Sequence, residues 1–496
     1  MPLPRLLLRA DGNSRIGLGH VMRLLALAEI LQEEASTCVF LIREPDEELR
    51  RQLAAINCTV VELPTQPLAE EAAWLVRHVL LATDVLLLDG YSFTYRYQQT
   101  VRGKVAQLIY VDDLHSFPLA ADLVLNPAGG IKASQYELRQ PGARLLVGPA
   151  FAPLRAAFRS ASLLPTPTAA PDVVLVCLGG ADPTHQTRQV AETLLALTAV
   201  QHVHAVVGSA YTGWNELSGW ASQHARLTLH RNLSAAELVV LMRQCGAAVC
   251  SPSTVSYEYC AAGGGLLLLL PVADNQRDIN YFLLSTELAL PYASASKVLS
   301  SGAHTLAAEF RQKQRRAFDG LAPVRLQQEF RALQLPPPPF HLRPATLHDS
   351  DLLFEWTNDP TVRQYSFNPS PVLRTEHEQW LAARLTDPSS LLLLAEQPDN
   401  SSPVGIIRFQ VAGAQATLSY SLAAPFRGRG LAALLLLAGT RYLIQTFTQV
   451  QQILGHVHQH NTASIKAFER AGFSLLPEQA NISPESVTFV WECAVI

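Results

Sequence analysis

Short apolar runs alternate with amphipathic helical patterns along the first two thirds of the chain. The stretch from Val21 to Leu31 shows the helical period, and apolar runs precede and follow it. This alternation predicts repeated βα units, and therefore parallel sheets covered by helices. The predicted strands are Leu6 to Leu8, Val39 to Ile42, Val85 to Leu88, Leu108 to Val111, Leu123 to Leu125, Val173 to Cys177, Val203 to Val207, Leu227 to Leu229, Ala247 to Cys250 and Leu266 to Pro271.

Two proline-rich stretches, residues 164–171 and 336–339, interrupt these patterns. They predict a Rossmann-like domain over residues 1–160, a second over residues 161–335, and a proline linker over residues 336–339. Residues 340–496 differ, because a strand at Phe340 to Arg343 and an amphipathic helix at Asp349 to Asn358 open a mixed α+β pattern. The predicted fold class is therefore α/β, with two tandem Rossmann-like domains followed by an α+β domain.

Composition narrows the class of protein. The 496 residues are 48% hydrophobic and 16% charged, with a net charge of -4, which indicates a globular protein without a basic field for nucleic acid. Seven scattered cysteines without a Cys/His cluster predict neither disulfides nor a metal site, and a cytoplasmic location fits. The apolar runs Leu266 to Leu270 and Leu431 to Ala438 are shorter than the roughly 18 residues of a membrane span, so no membrane partner is expected. The oligomeric state is left open.

A glycine-rich turn follows the first predicted strand. Asp11 ends that strand region, and Gly17 and Gly19 precede His20 at the start of a helix. Free backbone N–H groups at such a helix start suit an anionic or polar ligand. His20 is the best candidate for a catalytic base, since imidazole accepts protons near neutral pH. The alternative is that the glycines only make a close strand-to-helix turn.

Polar residues follow three strands of the second predicted domain. Gly180 lies in a turn after the first of these strands. Ser253, Thr254 and Glu258 open a later helix, where Glu258 could accept hydrogen bonds from both ribose hydroxyls of a nucleotide. Asn275 and Gln276 come after the last apolar strand, at the end where parallel sheets bind ligands. Helix capping and loop solubility are the alternative readings for these residues.

The ordered motifs resemble the UDP-sugar hydrolase family of pseudaminic acid synthesis over about residues 4–330. The matching motifs are the His20 turn, Asp89-Gly90-Tyr91, Asp112-Asp113-Leu114, Gly179-Gly180, Ser253-Thr254 and Asp274-Asn275-Gln276. The resemblance implies a GT-B-like fold that releases UDP from UDP-2,4-diacetamido-2,4,6-trideoxy-β-L-altrose without a metal. It also implies that His20 activates water, that Tyr91 and Asn275 contact the sugar or diphosphate, and that Glu258 holds the ribose.

A second glycine-rich turn follows the strand Ala416 to Leu422. Its glycines expose backbone N–H groups beside two arginines, which is a suitable nest for a pyrophosphate. The residues expected to bind it are Leu422, Arg427, Gly428, Arg429, Gly430, Leu431 and Ala432. Later, Asn461 begins a capped helix that ends at Gly472.

These two motifs are similar to those of the GNAT acetyltransferase superfamily over about residues 340–496. The resemblance implies acetyl-CoA as co-substrate, with Asn461 closing its site. Many members carry a tyrosine where this chain has Phe468, and a glutamate where it has Thr417. Tyr420, Glu355, His456 and His458 are the candidates to replace them, or direct attack on the thioester suffices.

The fusion predicts consecutive reactions on UDP-amino sugars. The acetyltransferase would acetylate the 4-amino group of UDP-4-amino-4,6-dideoxy-N-acetyl-β-L-altrosamine, and the hydrolase would release UDP from the product. Three alternatives stay open: a glycosyltransferase with an acceptor other than water, another sugar or acyl donor, and a non-catalytic sugar-nucleotide-binding module.

Overall fold

The computed structural model describes residues 4–12, 19–182, 184–301 and 303–494. Gly17 lies outside these described residues. The chain divides into two compact units, Met1–Pro323 and Val324–Ile496. In the described residues no helix is both long and apolar enough to cross a membrane.

The first unit begins with a seven-stranded, all-parallel sheet in the order β3-β2-β1-β4-β5-β6-β7. Its strands are β1 Arg5–Arg9, β2 Thr37–Ile42, β3 Cys58–Glu62, β4 Val85–Asp89, β5 Gln107–Val111, β6 Leu123–Asn126 and β7 Arg144–Val147. Its helices are α1 Gly19–Leu31, α2 Glu47–Ala55, α3 Leu68–His78 and α4 Tyr95–Arg102, and α5 Ala156–Ser162 follows β7 along the chain. The order reverses between β1 and β4, and such a switch point is where parallel sheets bind ligands.

A six-stranded parallel sheet, β10-β9-β8-β11-β12-β13, follows in the same unit. Its strands are β8 Val173–Cys177, β9 His202–Val207, β10 Leu227–Arg231, β11 Ala247–Cys250, β12 Leu266–Leu269 and β13 Leu290–Pro291. The helices are α6 Gln186–Leu195, α7 Trp214–Ala221, α8 Ala235–Gln244, α9 Thr254–Ala261, α10 Arg277–Ser285, α11 Ala295–Ser300 and α12 His304–Ala317, and α5 packs into the same core through Phe158. Helix α13 Ala322–Leu333 begins at the boundary between the units and lies almost entirely in the second unit. Here β8 and β11 form the switch point. The predicted parallel α/β architecture is confirmed.

The second unit contains a mixed seven-stranded sheet in the order β14-β15-β16-β17-β18-β20-β19. Its strands are β14 His341–Pro344, β15 Ser390–Glu396, β16 Pro403–Ala412, β17 Gln415–Leu422, β18 Gln452–His458, β19 Ser474–Leu475 and β20 Ser486–Glu492. Its helices are α14 Ser350–Thr357, α15 Pro360–Gln364, α16 Arg374–Thr386, α17 Leu431–Thr446 and α18 Thr462–Ala471. Short 3-10 turns across the whole chain are Gln32–Glu34, Ala133–Gln135, Pro149–Phe151, Asp274–Gln276, Tyr292–Ser294, Leu347–Asp349, Ala424–Phe426 and Glu478–Ala480.

The two faces of this third sheet pack against different helices. One face joins α17 and α18 in an apolar core that includes Leu418, Leu435 and Phe468. The other face packs Ile406 and Leu394 against Leu381 and Leu353 of α16 and α14. Helix α13 also belongs to this unit through Ala332, and the predicted domain boundaries at residues 160 and 335 stay predictions.

Candidate functional sites

His20 lies at the switch point of the first sheet. It is the second residue of α1, and Asp89 is the last residue of β4. His20 Nδ1 lies 2.6 Å from Asp89 Oδ1. Nδ1 carries a proton and donates a hydrogen bond to this carboxylate. Nε2 is therefore the basic nitrogen of the ring.

Asp89 is fully buried and bound on both oxygens. Arg23 donates to Asp89 Oδ2 from Nε at 2.9 Å and to Oδ1 from Nη2 at 2.7 Å. Burial opposes ionisation, but the charge of Arg23 and the hydrogen bond from His20 outweigh it and hold the pKa of Asp89 below its usual value. The carboxylate therefore stays charged beneath the imidazole.

Tyr91 connects this cluster to the second sheet. Its ring meets His20 edge-on at 4.7 Å between centroids, and its hydroxyl donates to Asp113 Oδ2 at 3.1 Å. Asn275, which follows β12, donates to the same hydroxyl from Nδ2 at 2.7 Å. Burial, and then the charge of Asp113, raise the pKa of Tyr91, so the phenol keeps its proton. His20, Tyr91 and Asn275 thus come together from both parallel sheets.

Ser253, Thr254 and Gly180 lie at the switch point of the second sheet. Ser253 precedes α9 after β11, while Gly180 is exposed after β8 and accepts a hydrogen bond from Gly208 N at 2.8 Å. Thr254 lines a cavity together with Arg23 and Asp113 of the first sheet. Polar groups from the ligand-binding ends of both sheets therefore border one space.

Glu258 has a protein partner in the structure. The buried carboxylate accepts two hydrogen bonds from Arg155, at 2.7 Å from Nε and 2.8 Å from Nη2. Burial raises the pKa of Glu258, and the charge of Arg155 opposes that rise. A ribose bound here would share the carboxylate with Arg155, and the predicted ribose contact stays a prediction.

Three further sequence candidates make no contact with the His20 cluster through their side chains. Two have other hydrogen-bond partners, and the third is a glycine at the start of α1. Asp11 belongs to another ion-pair network, where it accepts hydrogen bonds from Arg9 at 2.5 and 2.8 Å. Gln276 is buried and accepts from Val272 N at 2.8 Å, which shapes its own turn. Gly19 begins α1, and no atom of the described residues lies within 4 Å of where its Cβ would stand.

The site candidates taken from the sequence omit Arg23, Asp89, Asp113 and Arg155. Asp89 had a usable signal, because a charged residue directly ends the apolar run Val85 to Leu88. Arg23 follows His20 by three residues on α1, which places both on one helix face. Arg155 gave no local signal, since its partner Glu258 is 103 residues away.

In the second unit, β17 and β18 separate partway along their length. They pair in parallel from Gln415 with Gln452 to Leu418 with Gly455. Beyond that point β17 continues to Leu422 and β18 to His458. Strands that stop pairing expose backbone N–H and C=O groups, which can bind an extended ligand.

The predicted glycine-rich turn lies just beyond this opening. Gly428 and Gly430 have φ angles of +74° and +76°, and Gly430 precedes the first turn of the 16-residue helix α17. Gly428, Arg429 and Gly430 are exposed. The first amides of α17 and the positive end of its dipole suit a pyrophosphate.

Three predicted acetyl-CoA residues already have protein partners. Arg427 donates to Leu422 O and to Asp359 Oδ1, both at 3.0 Å. Asn461 caps α18 by accepting from Ser464 N at 3.1 Å. These bonds hold the turn and the helix start beside the opening between the strands.

Tyr420 occupies this opening on the side of α18. Its hydroxyl lies 3.0 Å from Ser464 Oγ, and its ring contacts Phe468 at 6.0 Å between centroids. Burial raises the pKa of Tyr420, although the hydrogen bond with Ser464 opposes that rise. Phe468 is buried and carries no proton donor, whereas Tyr420 offers a protonated hydroxyl nearby.

The two histidines among the sequence alternatives lie on the sheet face opposite Tyr420. His456 Nδ1 lies 3.0 Å from Thr488 Oγ1, and burial lowers the pKa of His456, which favours the neutral base. His458 Nε2 lies 3.5 Å from Glu485 Oε2. Glu355 and Thr417 are exposed on α14 and β17. In the described parts of the chain, no group of three or more His, Cys, Asp and Glu side chains is placed to hold a metal ion.

Comparison with curated proteins finds a distant relative. An uncharacterized protein of Methanocaldococcus jannaschii, MJ1062, is 22% identical over 268 residues, which cover 52% of this chain and 54% of that protein. The chain thus spans about half the length of this curated relative.

Solved structures with partial similarity include two acetyltransferases. Aminoglycoside acetyltransferase AAC(6')-Ib with coenzyme A is 23% identical and spans 31% of this chain and 94% of its own, with a TM-score of 0.27. Spermidine N-acetyltransferase from Vibrio cholerae, with CoA and spermine, is 18% identical and spans 31% and 95%, with a TM-score of 0.28. At TM-scores this low, neither structure adds to the identification.

The family model for the acetyltransferase (GNAT) domain matches residues 340–474. That range contains the separating strands, the glycine-rich turn and all of α18. The second unit therefore contains a GNAT acetyltransferase domain.

Proposed function

We propose that the chain is a bifunctional enzyme acting on UDP-linked amino sugars. Its first unit, a GT-B-like pair of Rossmann-like domains, hydrolyses UDP-2,4-diacetamido-2,4,6-trideoxy-β-L-altrose. Its GNAT domain uses acetyl-CoA to acetylate the 4-amino group of the preceding UDP-amino sugar. The observation that carries the hydrolase is the contact of His20 with Asp89 at the switch point of the first sheet.

In the proposed hydrolysis, His20 acts as general base. Nε2 removes a proton from water as the water oxygen attacks the anomeric carbon, and the bond to the UDP oxygen breaks. UDP leaves with the bonding electrons, and the charged carboxylate of Asp89 stabilises the resulting imidazolium. Tyr91 and Asn275 are placed to hydrogen-bond the sugar or the diphosphate beside His20.

In the proposed acetyl transfer, the opening between β17 and β18 holds the extended part of acetyl-CoA, and the turn at Gly428 to Gly430 holds its pyrophosphate. Acetyl-CoA supplies the thioester that the amine attacks. His456 is the candidate to take a proton from the amine, because its pKa is lowered. Tyr420 is the candidate to protonate the departing sulfur, since its hydroxyl lies in the opening.

The hydrolase is tested with the purified full chain and the diacetamido nucleotide, by following UDP and free sugar. UDP release without an added acceptor is expected, and it would separate hydrolysis from glycosyl transfer. His20→Ala is expected to abolish release. Release by His20→Ala at the normal rate would overturn the mechanism.

The acetyltransferase is tested with acetyl-CoA and the UDP-4-amino sugar, by following free CoA. Tyr420→Phe is expected to slow transfer by roughly 100-fold, the lower end of general acid–base effects. Tyr442→Phe, which removes a hydroxyl from α17, serves as control. Equal rates for the two variants would remove Tyr420 from the mechanism.

A further inference from the structure

Part of the third sheet carries polar side chains that helices leave uncovered. Side chains alternate along a strand, so Arg408 of β16 points to the same face as Ile406, which packs against α14 and α16. Ser419 of β17 lies opposite Arg408 in the register and is exposed, as is Thr417. We call this face, with Arg408, Ser419 and His456, the acceptor face. It borders the point where β17 and β18 separate.

The segment between α14 and α16 reaches both separated strands. At its start, Asp359 accepts a hydrogen bond from Arg427, which follows β17. Farther along, the ring of Tyr365 lies 6.3 Å from that of His458 at the end of β18. The segment between these contacts, which includes α15, therefore flanks the acceptor face.

Two arginines of this region each have a buried Nε without a hydrogen-bond partner. Arg363 of α15 donates from Nη1 to Asn368 O and Ser370 O, both at 3.2 Å, while its Nε is buried without a partner. Arg408 lies over the ring of Trp380 at 5.5 Å, and its Nε is likewise buried without a partner. Over the described ranges, neither arginine has a carboxylate within salt-bridge distance.

This arrangement is electrostatically unfavourable by itself. Burial, and then the charge of Arg363, lower the pKa of Arg408 to about 10. Other arginines of the same unit are paired, such as Arg343 with Asp349 and Glu396, and Arg374 with Asp351. A bound anion would relieve the repulsion between the two positive charges, and guanidinium groups match phosphate oxygens in geometry.

We propose that Arg363 and Arg408 form an anion subsite on the acceptor face, where they hold the phosphates of a nucleoside-diphosphate-linked amine. The subsite rests on the acetyl transfer proposed above. In this proposal the acceptor's phosphates bind outside the glycine-rich turn. The turn itself binds the pyrophosphate of acetyl-CoA. A polycationic amine is a poor fit for this face, because its charge repels both guanidinium groups.

The test compares two acceptors with the full chain: the UDP-linked amino sugar and the same amino sugar as its methyl glycoside, which lacks phosphate. Arg363→Gln and Arg408→Gln are each expected to raise KM for the nucleotide acceptor about 10-fold to 100-fold, the value of a lost charge-assisted contact. KM for the glycoside and for acetyl-CoA should stay unchanged. Arg374→Gln, which removes a carboxylate-paired arginine stacked on Phe354, is the matched control.

The possible outcomes distinguish failure of the anion subsite from failure of the proposed acetyl transfer. If the wild-type chain transfers acetyl to neither acceptor, the proposed acetyl transfer fails. The subsite is then tested by calorimetric titration of the full chain with inorganic pyrophosphate. The double variant Arg363→Gln/Arg408→Gln should lack one binding event that the control Arg374→Gln retains. The subsite is overturned if the variants raise KM for acetyl-CoA, affect both acceptors equally, or bind pyrophosphate unchanged.

Discussion

At the residue scale, His20 depends on Asp89 for its orientation. Imidazole can bear its proton on either nitrogen, and the buried carboxylate selects Nδ1. Arg23 fixes both oxygens of that carboxylate, so the pair has little freedom to turn. Asp89 is therefore a positioning residue that acts through His20.

Asp89→Asn should lower kcat for UDP release by about 10²-fold to 10⁴-fold, because the amide no longer selects the Nδ1 tautomer. Asp89→Glu should restore part of the rate, and the acidic limb of the pH–rate profile should move in Asp89→Asn. The control is Asp278→Asn, which changes the contact with His115 in the same unit. An unchanged pH profile in Asp89→Asn would mean a purely structural role.

At the element scale, the turn before α17 needs left-handed backbone. Gly430 has φ of +76°, which L residues adopt only with strain. Its Cβ position has an open environment, with Arg470 Nη1 at 3.6 Å. The glycine therefore serves the backbone conformation that presents the amides of the turn.

Gly430→Ala should cost about 1 kcal/mol of stability and raise KM for acetyl-CoA several-fold, as the strained turn shifts its amides. Gly413→Ala is the matched control, because Gly413 has φ of +61° in the hairpin between β16 and β17 and nothing within 4 Å. Both variants should lose similar stability in urea titrations. Equal KM values for acetyl-CoA in Gly430→Ala and Gly413→Ala would show that the turn before α17 does not bind acetyl-CoA.

Strands β9 and β10 carry a histidine cluster at the sheet edge. His204 Nδ1 lies 3.1 Å from His230 Nε2, and the His202 ring lies 4.6 Å from that of His204. Burial, followed by the charges of His202 and His230, lowers the pKa of His204 to about 4. The folded first unit therefore binds fewer protons than the unfolded chain between pH 6.5 and 4.

Stability of the first unit should fall as pH drops through this window, because unfolding then takes up a proton at His204. The urea concentration at the midpoint of unfolding should decrease less between pH 7 and pH 5 in His204→Gln than in the wild type. In His348→Gln, which replaces an exposed histidine of the second unit, it should decrease as much as in the wild type. Identical pH slopes for His204→Gln and the wild type would contradict this assignment.

At the scale of the whole molecule, the two candidate sites belong to separate compact units. Each site is built from residues of its own unit, and the unit boundary lies at Pro323. Joining two enzymes in one chain raises the local concentration of an intermediate, but it does not by itself require internal transfer.

Given the UDP-4-amino sugar and acetyl-CoA, His20→Ala should release CoA at the wild-type rate and accumulate the acetylated nucleotide. Adding Gly430→Val, a variant expected to be deficient in acetyl transfer, should then release free sugar from that pool. Chromatography of both products measures the two steps. Failure of the added chain to consume the pool would indicate that the intermediate passes only within one chain.

The sequence by itself determined the parallel sheets, the helix starts and the glycine-rich turn before α17, because hydrophobic period and turn chemistry depend on neighbouring residues. In the two parallel sheets it missed β3 and β7, whose polar residues, such as Thr59 and Arg144, break the apolar run, and the two-residue strand β13. Only tertiary structure decided that Glu258 meets Arg155 and that Asp89 meets His20. These pairs are far apart in sequence, and their side chains meet only when sheets and connecting segments are packed, which no local pattern encodes.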